Sequence, residues 1–404
     1  MSSDRAPRKE SLMSAITLRA TARQFMAKAD ARPHTEPWED RVTVILSTLT
    51  LFAVFFDGLI HNNTGKLDTF FQPAHICMYT GLTVLGGWIG LVFLRHQPKG
   101  RLELSMKAVP HGYGLALVAL PLAALGGPGD FAWHAAYGFE NQVDAPFSPT
   151  HQMLFLSGAL LGAIPLASMW ARVGRKPSLR ELWPAVLSMT AVVAMVNFTF
   201  MNLLPYFWAF VPTSAFQHDM LRYPDAYAPG AGIVHAEGLA KAASHYGDTP
   251  WPYYLFANMQ VIGGIMIFTI VLVSAVLYLR RRWELPFGAI TLMCSLLSVL
   301  FPFFTEFRML HLIPALIITG LLIDLLVQWL TGNVPATPVR ARILGGLIPF
   351  AIWIPYELSI AIADGLGWEP TVYLGMLSTT AGVGFGAALL LFPPPVPAEV
   401  APAS

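Results

Sequence analysis

Ten stretches of about 20 residues, each nearly free of charge, recur between residues 43 and 393. A helix rising ~1.5 Å per residue needs that length to cross ~30 Å of hydrocarbon. The stretches are 43–60, 74–95, 109–128, 150–171, 183–203, 253–279, 285–303, 309–330, 343–363 and 371–392. The first and seventh are short and need tilt or flanking residues to span. Only 12% of the 404 residues are charged, about half the ~25% of a soluble domain. The expected fold class is therefore an all-α polytopic membrane protein, a bundle of about ten transmembrane helices arranged as two-span hairpins. Lys+Arg 25 against Asp+Glu 24 leaves no basic excess for nucleic acid. Cys77 and Cys294 lie far apart in apolar runs, which excludes a disulfide framework and a zinc finger.

Basic residues give the orientation. Arg5, Arg8, Lys9, Arg19, Arg23, Lys28 and Arg32 precede the first span. Further clusters at 95–107, 172–180, 280–282 and 340–342 follow the second, fourth, sixth and eighth spans. All fall on one side, which the positive-inside rule makes the cytoplasm, with both termini there in an inner or plasma membrane. Residues 1–40 are a basic segment without the apolar core of a signal peptide. Within it, 10–30 reads either as an amphipathic surface helix or as a disordered topology signal. Residues 393–404 form a Pro-rich cytoplasmic tail.

Asp, Glu and His are costly at membrane helix ends, so their clustering marks a candidate site. The first outer hairpin, FFDGLIHNNTGKLDTFFQPAHICMYTG, carries Asp57, His61, Asp68 and His75. The second, GDFAWHAAYGFENQVDAPFSPTHQMLFLSG, carries Asp130, His134, Glu140, Asp144 and His151. Both read Asp-x3-His, a loop, then Asp-x-x-Phe-x-Pro-x-His, with 13 and 16 residues between the two histidines. Residues 43–180 are thus a duplicated pair of metal-binding hairpins.

Asp and His at i and i+4 share one helix face, a turn apart. The second His follows a Pro suited to start the returning helix. Two histidines and a carboxylate suit copper, iron or zinc and leave positions open for another ligand. A lone His here is more often a capped helix end than a ligand; four in duplicated frames point to metal.

The segments around these residues, with PHGYGLAL from Pro110 between them, resemble the C subunit of particulate methane monooxygenase and ammonia monooxygenase. The resemblance covers roughly residues 50–170, in the same order and at similar separations, and ends near residue 180. It implies one copper site on Asp57, His61 and His75 and another on Asp130, His134 and His151. Where that family usually has Asn, this chain has Asp130, and its loop before His151 is longer. The cupredoxin domain that the family carries on a separate subunit is not seen in this sequence.

Residues 181–392 supply further spans and a long outer loop, 204–252, holding His218, Asp219, His235, Glu237, His245 and Asp248. That loop reads as a lid over the hairpins or as a solvated connector. Glu306 with Arg308 reads as an ion pair, and His311 as a helix-entry cap or a further ligand. The leading expectation is a copper-binding relative of the membrane monooxygenases, activating O₂ against a small apolar substrate at the extracytoplasmic face. Its partners would be the lipid bilayer, other monooxygenase-type subunits or copies of itself. The alternatives are a non-catalytic copper or zinc binding or transport protein, and a membrane zinc hydrolase with a carboxylate as general base. Asp130 adds charge to the second frame, so that frame should hold the tighter metal and the first should be easier to reduce.

The topology is testable by single-cysteine labelling near residues 65 and 142. Reagent is expected to reach both from the outer side; labelling only from the cytoplasm would reverse the arrangement.

Overall fold

The computed structural model describes residues 32–63, 70–98, 105–138, 144–207, 251–307, 309–332, 337–363 and 365–393. For 62–63, 144, 251–258 and 331 the description covers the backbone alone. The basic segment 1–31, Lys66, Asp68, Glu140, Arg308, loop 208–250 and the tail from 394 lie outside it.

Among the described residues the regular structure is helical: α1 Pro37–Asn63, α2 Pro73–Arg95, α3 Ala116–Tyr137 and the single turn α4 Asp144–Phe147. Then follow α5 Pro149–Arg172, α6 Leu179–Thr199, α7 Trp251–Arg282, α8 Ala289–Phe304, α9 Leu312–Thr331, α10 Pro338–Ala363 and α11 Pro370–Leu391. Among the described residues nine helices are long and apolar enough to cross a membrane, so the chain is an all-α polytopic membrane protein. The expected seventh span, 285–303, is the 16-residue α8. At ~1.5 Å per residue it reaches roughly 24 Å, short of a full crossing. The first span is not short: α1 begins at Pro37 and runs 27 residues. The third is displaced from 109–128, because α3 continues through Pro121 and Pro128 to Tyr137. Neighbouring helices tolerate such prolines in membranes, and the extension places Asp130 and His134 on a helix.

α6 is the hub, with 72% of its apolar window buried against 22% for the α3 span. It packs on α1, α5, α7 and α8, while α2 and α3 flank one side and α9–α11 close the other. One core runs from Leu51 to Phe392, through Phe55, Phe198, Phe301 and Trp353, across both halves of the chain. Outward side chains such as Ile362 and Leu390 are exposed and apolar, as a lipid-facing surface requires.

Buried charges pin the helices together. Asp324 of α9 accepts from the backbone N–H groups of Gly288, Ile290 and Thr291 at 3.0, 3.1 and 2.9 Å. A carboxylate from one helix thereby caps the start of another. At the end where α1 begins, Asp40 accepts from Arg172 at 2.6 Å, Ser168 at 3.0 Å and Thr35 at 3.0 Å. Beside it Glu39 pairs with Arg95 and His96, both at 3.0 Å. Arg282 donates to the carbonyls of Trp170 and Val173, so the basic clusters after α2, α5 and α7 gather at one end. The PHGYG segment sits there too. Gly112 has φ +83°, and a Cβ on it would meet Ser168 N at 2.2 Å; Tyr113 hydroxyl bonds Thr43 at 2.7 Å.

Asp40→Ala should destabilise the fold by about 3 kcal/mol, since it takes the carboxylate partner from Arg172. Unfolding in mild detergent would read this, with metal content unchanged. Unaltered stability would mean that water satisfies Arg172 in the variant.

Candidate metal centre

The last turns of α1 carry Asp57 and His61 on one face, and Pro73 starts α2 two residues before His75. The second frame repeats this with other elements. Asp130 and His134 end α3, Ser148 caps α5 by accepting from His151 N at 3.3 Å, and Pro149 opens the helix. All six expected ligands come together in two groups, each with its ligand atoms within 4.8 Å of one another: Asp57, His61 and His75, and Asp130, His134 and His151.

In the first group His61 Nε2 lies 3.0 Å from His75 Nε2. Asp57 Oδ1 is 3.3 Å from His75 Nε2, and Oδ2 is 3.6 Å from His61 Nε2. In the second, Asp130 Oδ1 is 3.1 Å from His151 Nε2 and 3.4 Å from His134 Nε2. A tetrahedral ion with ~2.0–2.1 Å bonds separates its ligands by about 3.3 Å. The donor sets fit that spacing.

Three imidazoles are held from behind by backbone carbonyls. His75 Nδ1 meets Phe70 O at 2.7 Å, His151 Nδ1 meets Ala145 O at 2.6 Å, and His134 Nδ1 meets Gly138 O at 3.2 Å. A carbonyl only accepts, so each Nδ1 carries a proton and donates it. In the neutral ring the inward Nε2 is then a lone pair, the arrangement that metal-binding histidines use. In the first group His61 Nε2–H can donate to His75. In the second, both Nδ1–H bonds are spent on carbonyls, so two lone pairs face a carboxylate oxygen. A cation shared between them, a proton or a metal ion, would relieve that repulsion.

Asp130 is fully buried and accepts from Tyr79 hydroxyl at 2.9 Å and Thr150 hydroxyl at 3.1 Å. Asp57 Oδ1 is buried without a hydrogen bond. Asp130 therefore has a supported carboxylate and Asp57 a bare one, an asymmetry that charge counting alone does not give. Tyr79 follows His75 by four residues on α2, so it joins the two frames; helical spacing could have found it. The frames also abut, with His61 and His151 rings 6.3 Å apart and His75 and His134 rings 6.3 Å apart. Phe70 stacks among them, 5.1 Å from His75 and 6.2 Å from His134.

Other expectations fall elsewhere. His311 stands at the start of α9 without a side-chain cap bond, and it belongs to neither group. The side chain of Asp144 lies outside the described residues, as do the lid residues His218, Asp219, His235, Glu237, His245 and Asp248. His111 of the PHGYG segment stacks on His34 at the opposite end of the bundle, with ring centroids 4.7 Å apart.

No protein-family model, no curated protein and no solved structure matches the chain.

Tyr79→Phe removes no ligand but should weaken metal binding at the second group about 10–100-fold, as outer hydrogen-bond partners do. Asp130→Asn should weaken it further and raise the reduction potential of any copper there. Titration and potentiometry on purified protein would measure both; an unchanged Asp130→Asn protein would place that carboxylate outside the coordination sphere.

Proposed function

We propose that this chain is a copper-binding membrane oxidoreductase related to the copper membrane monooxygenases, using O₂ to oxidise a small apolar substrate. One observation carries the reading: two adjoining Asp–His–His groups in which three of the four imidazoles have Nε2 turned inward by a carbonyl bond at Nδ1. Imidazole and carboxylate suit copper in both oxidation states, and no thiolate stands in either group.

Bound copper would supply the one-electron chemistry that O₂ activation needs. The balance is one oxygen atom to the substrate as hydroxyl and one to water, with two electrons and two protons from an external reductant. The chain's own residues do the rest. His75, His134 and His151 are fixed in tautomer and direction by their carbonyl partners, so little reorganises on loading. Tyr79 and Thr150 hold Asp130 with Oδ1 turned inward. Phe155, Phe198 and Phe304 wall the adjoining space, keeping water from the reacting centre and favouring an apolar guest.

In this reading the frames lie at the extracytoplasmic face of an inner or plasma membrane, with both termini cytoplasmic. The positive-inside rule supports that placement, because the basic clusters gather at the bundle end opposite the frames. Further monooxygenase-type subunits or a second copy of the chain would bring electrons.

Elemental analysis of purified protein should find copper, up to two per chain. His61→Ala and His134→Ala should each lose most of the metal of their own group, and His311→Ala little. Stoichiometric zinc without copper would instead favour the hydrolase or metal-handling alternatives.

A further inference from the structure

Helix α1 carries more than its two candidate ligands. Asp40, Thr43, Ser47, Thr50, Val54 and Asp57 follow one another at steps of three or four residues, so they lie along one face of the helix. All of them are buried, and the row runs from the basic end of the bundle to the first frame. Only Val54 interrupts it with an apolar side chain. At the basic end the row is already hydrogen-bonded, because the Tyr113 hydroxyl reaches Asp40 at 3.3 Å and Thr43 at 2.7 Å. Thr43 and Thr50 donate to the carbonyls of Glu39 and Leu46 at 2.8 and 2.9 Å, a bond that helical threonines commonly make. Ser47 differs: its hydroxyl is buried without a hydrogen bond. It lines a space of about 20 Å³ together with Thr50. A water needs about 10–15 Å³ on this measure, so the space suits one water between the two hydroxyls. Farther out, Asp57, His61 and Asn202 line a separate space of about 60 Å³.

We propose that this face of α1 is a proton path from the basic end, the cytoplasmic one in the reading above, to the first frame, held shut at Val54. A hydroxyl or a water passes a proton on because it accepts one hydrogen bond while donating another, and a valine does neither. Rows of polar and ionisable side chains are costly inside a membrane, and proton relays are among the functions that retain them. From Thr50 to Asp57 the helix advances roughly 10 Å. About three waters at hydrogen-bond spacing cover that distance. Protons therefore cross when water enters past Val54 and stop when it leaves. The purpose of the path rests on the copper reading above, since the protons that the O₂ balance needs would arrive along α1. The path itself needs no metal; it stands on the alignment of the row and on the unanswered hydroxyl of Ser47.

Metal-free protein in liposomes with trapped pyranine tests this, with protons driven by a potassium–valinomycin potential. Unaltered protein should pass protons slowly, at a rate above that of protein-free vesicles. Val54→Ser completes the row and should raise the rate about tenfold, since it removes the one side chain that cannot hold a water. Ser47→Val takes away the hydroxyl and fills the space beside it, so it should return the rate to the protein-free level in both the unaltered and the Val54→Ser protein. Thr50→Val, nearly the same in shape, should do likewise and serves if Ser47→Val fails to fold. Unaltered protein as tight as protein-free vesicles, Val54→Ser no leakier than unaltered protein, or a leak that survives both Ser47→Val and Thr50→Val would each overturn the path. Absence of copper from the purified protein would overturn the metal reading instead and leave these metal-free rates as they are, so the two failures are told apart.

Discussion

Inside hydrocarbon no water is at hand for a polar group, so every buried carboxylate must be answered by the protein or by an ion. Three of the buried acids in this bundle are answered by protein. Asp40 takes Arg172 and hydroxyls, Glu39 takes Arg95 and His96, and Asp324 takes the N–H groups at the start of α8. Each of these contacts ties one helix to another, and the Asp40–Arg172 pair joins α1 to α5 across the sequence. Asp57 and Asp130 differ. Their nearest nitrogen neighbours are imidazoles, and three of the four imidazoles already give their Nδ1 proton to a carbonyl.

The separation of these two kinds of acid gives the molecule its polarity. At one end basic side chains gather, and Arg95, Arg172 and Arg282 are held there in ion pairs or on backbone carbonyls. At the other, lone pairs converge on two neighbouring points above an apolar hollow. The frames are close enough that charge placed in one is felt in the other, because ring centres lie 6.3 Å apart in a low-dielectric setting. Tyr79 strengthens that link, since it rides on the helix of His75 and holds the carboxylate of the other frame. The two frames therefore adjoin, four histidines and two aspartates in neighbouring groups, although the chain builds them from separate hairpins.

Length and apolarity alone set the membrane class, because ~30 Å of hydrocarbon admits few alternatives to a helix of about 20 residues. The repeated Asp-x3-His spacing pointed to four residues of the centre, since i and i+4 share a helix face whatever the surroundings, and the repeated Asp-x-x-Phe-x-Pro-x-His element pointed to His75 and His151. Helix ends were less legible. The third span read as 109–128, yet α3, packed against α5, runs on past Pro128 to Tyr137. α8 read as a full span, but the cap from Asp324 starts it late and leaves it 16 residues long.

What the sequence by itself determined was therefore the solvent of the fold and the identity of its candidate ligands, both local properties of spacing and composition. Only the tertiary structure decided that the two frames adjoin, that backbone carbonyls of Phe70, Gly138 and Ala145 set three of the imidazole tautomers, and that Phe155, Phe198 and Phe304 wall a hollow beside them. The reason is physical. A carbonyl has no letter of its own in a sequence, and a cavity is defined by residues that touch across helices rather than along one.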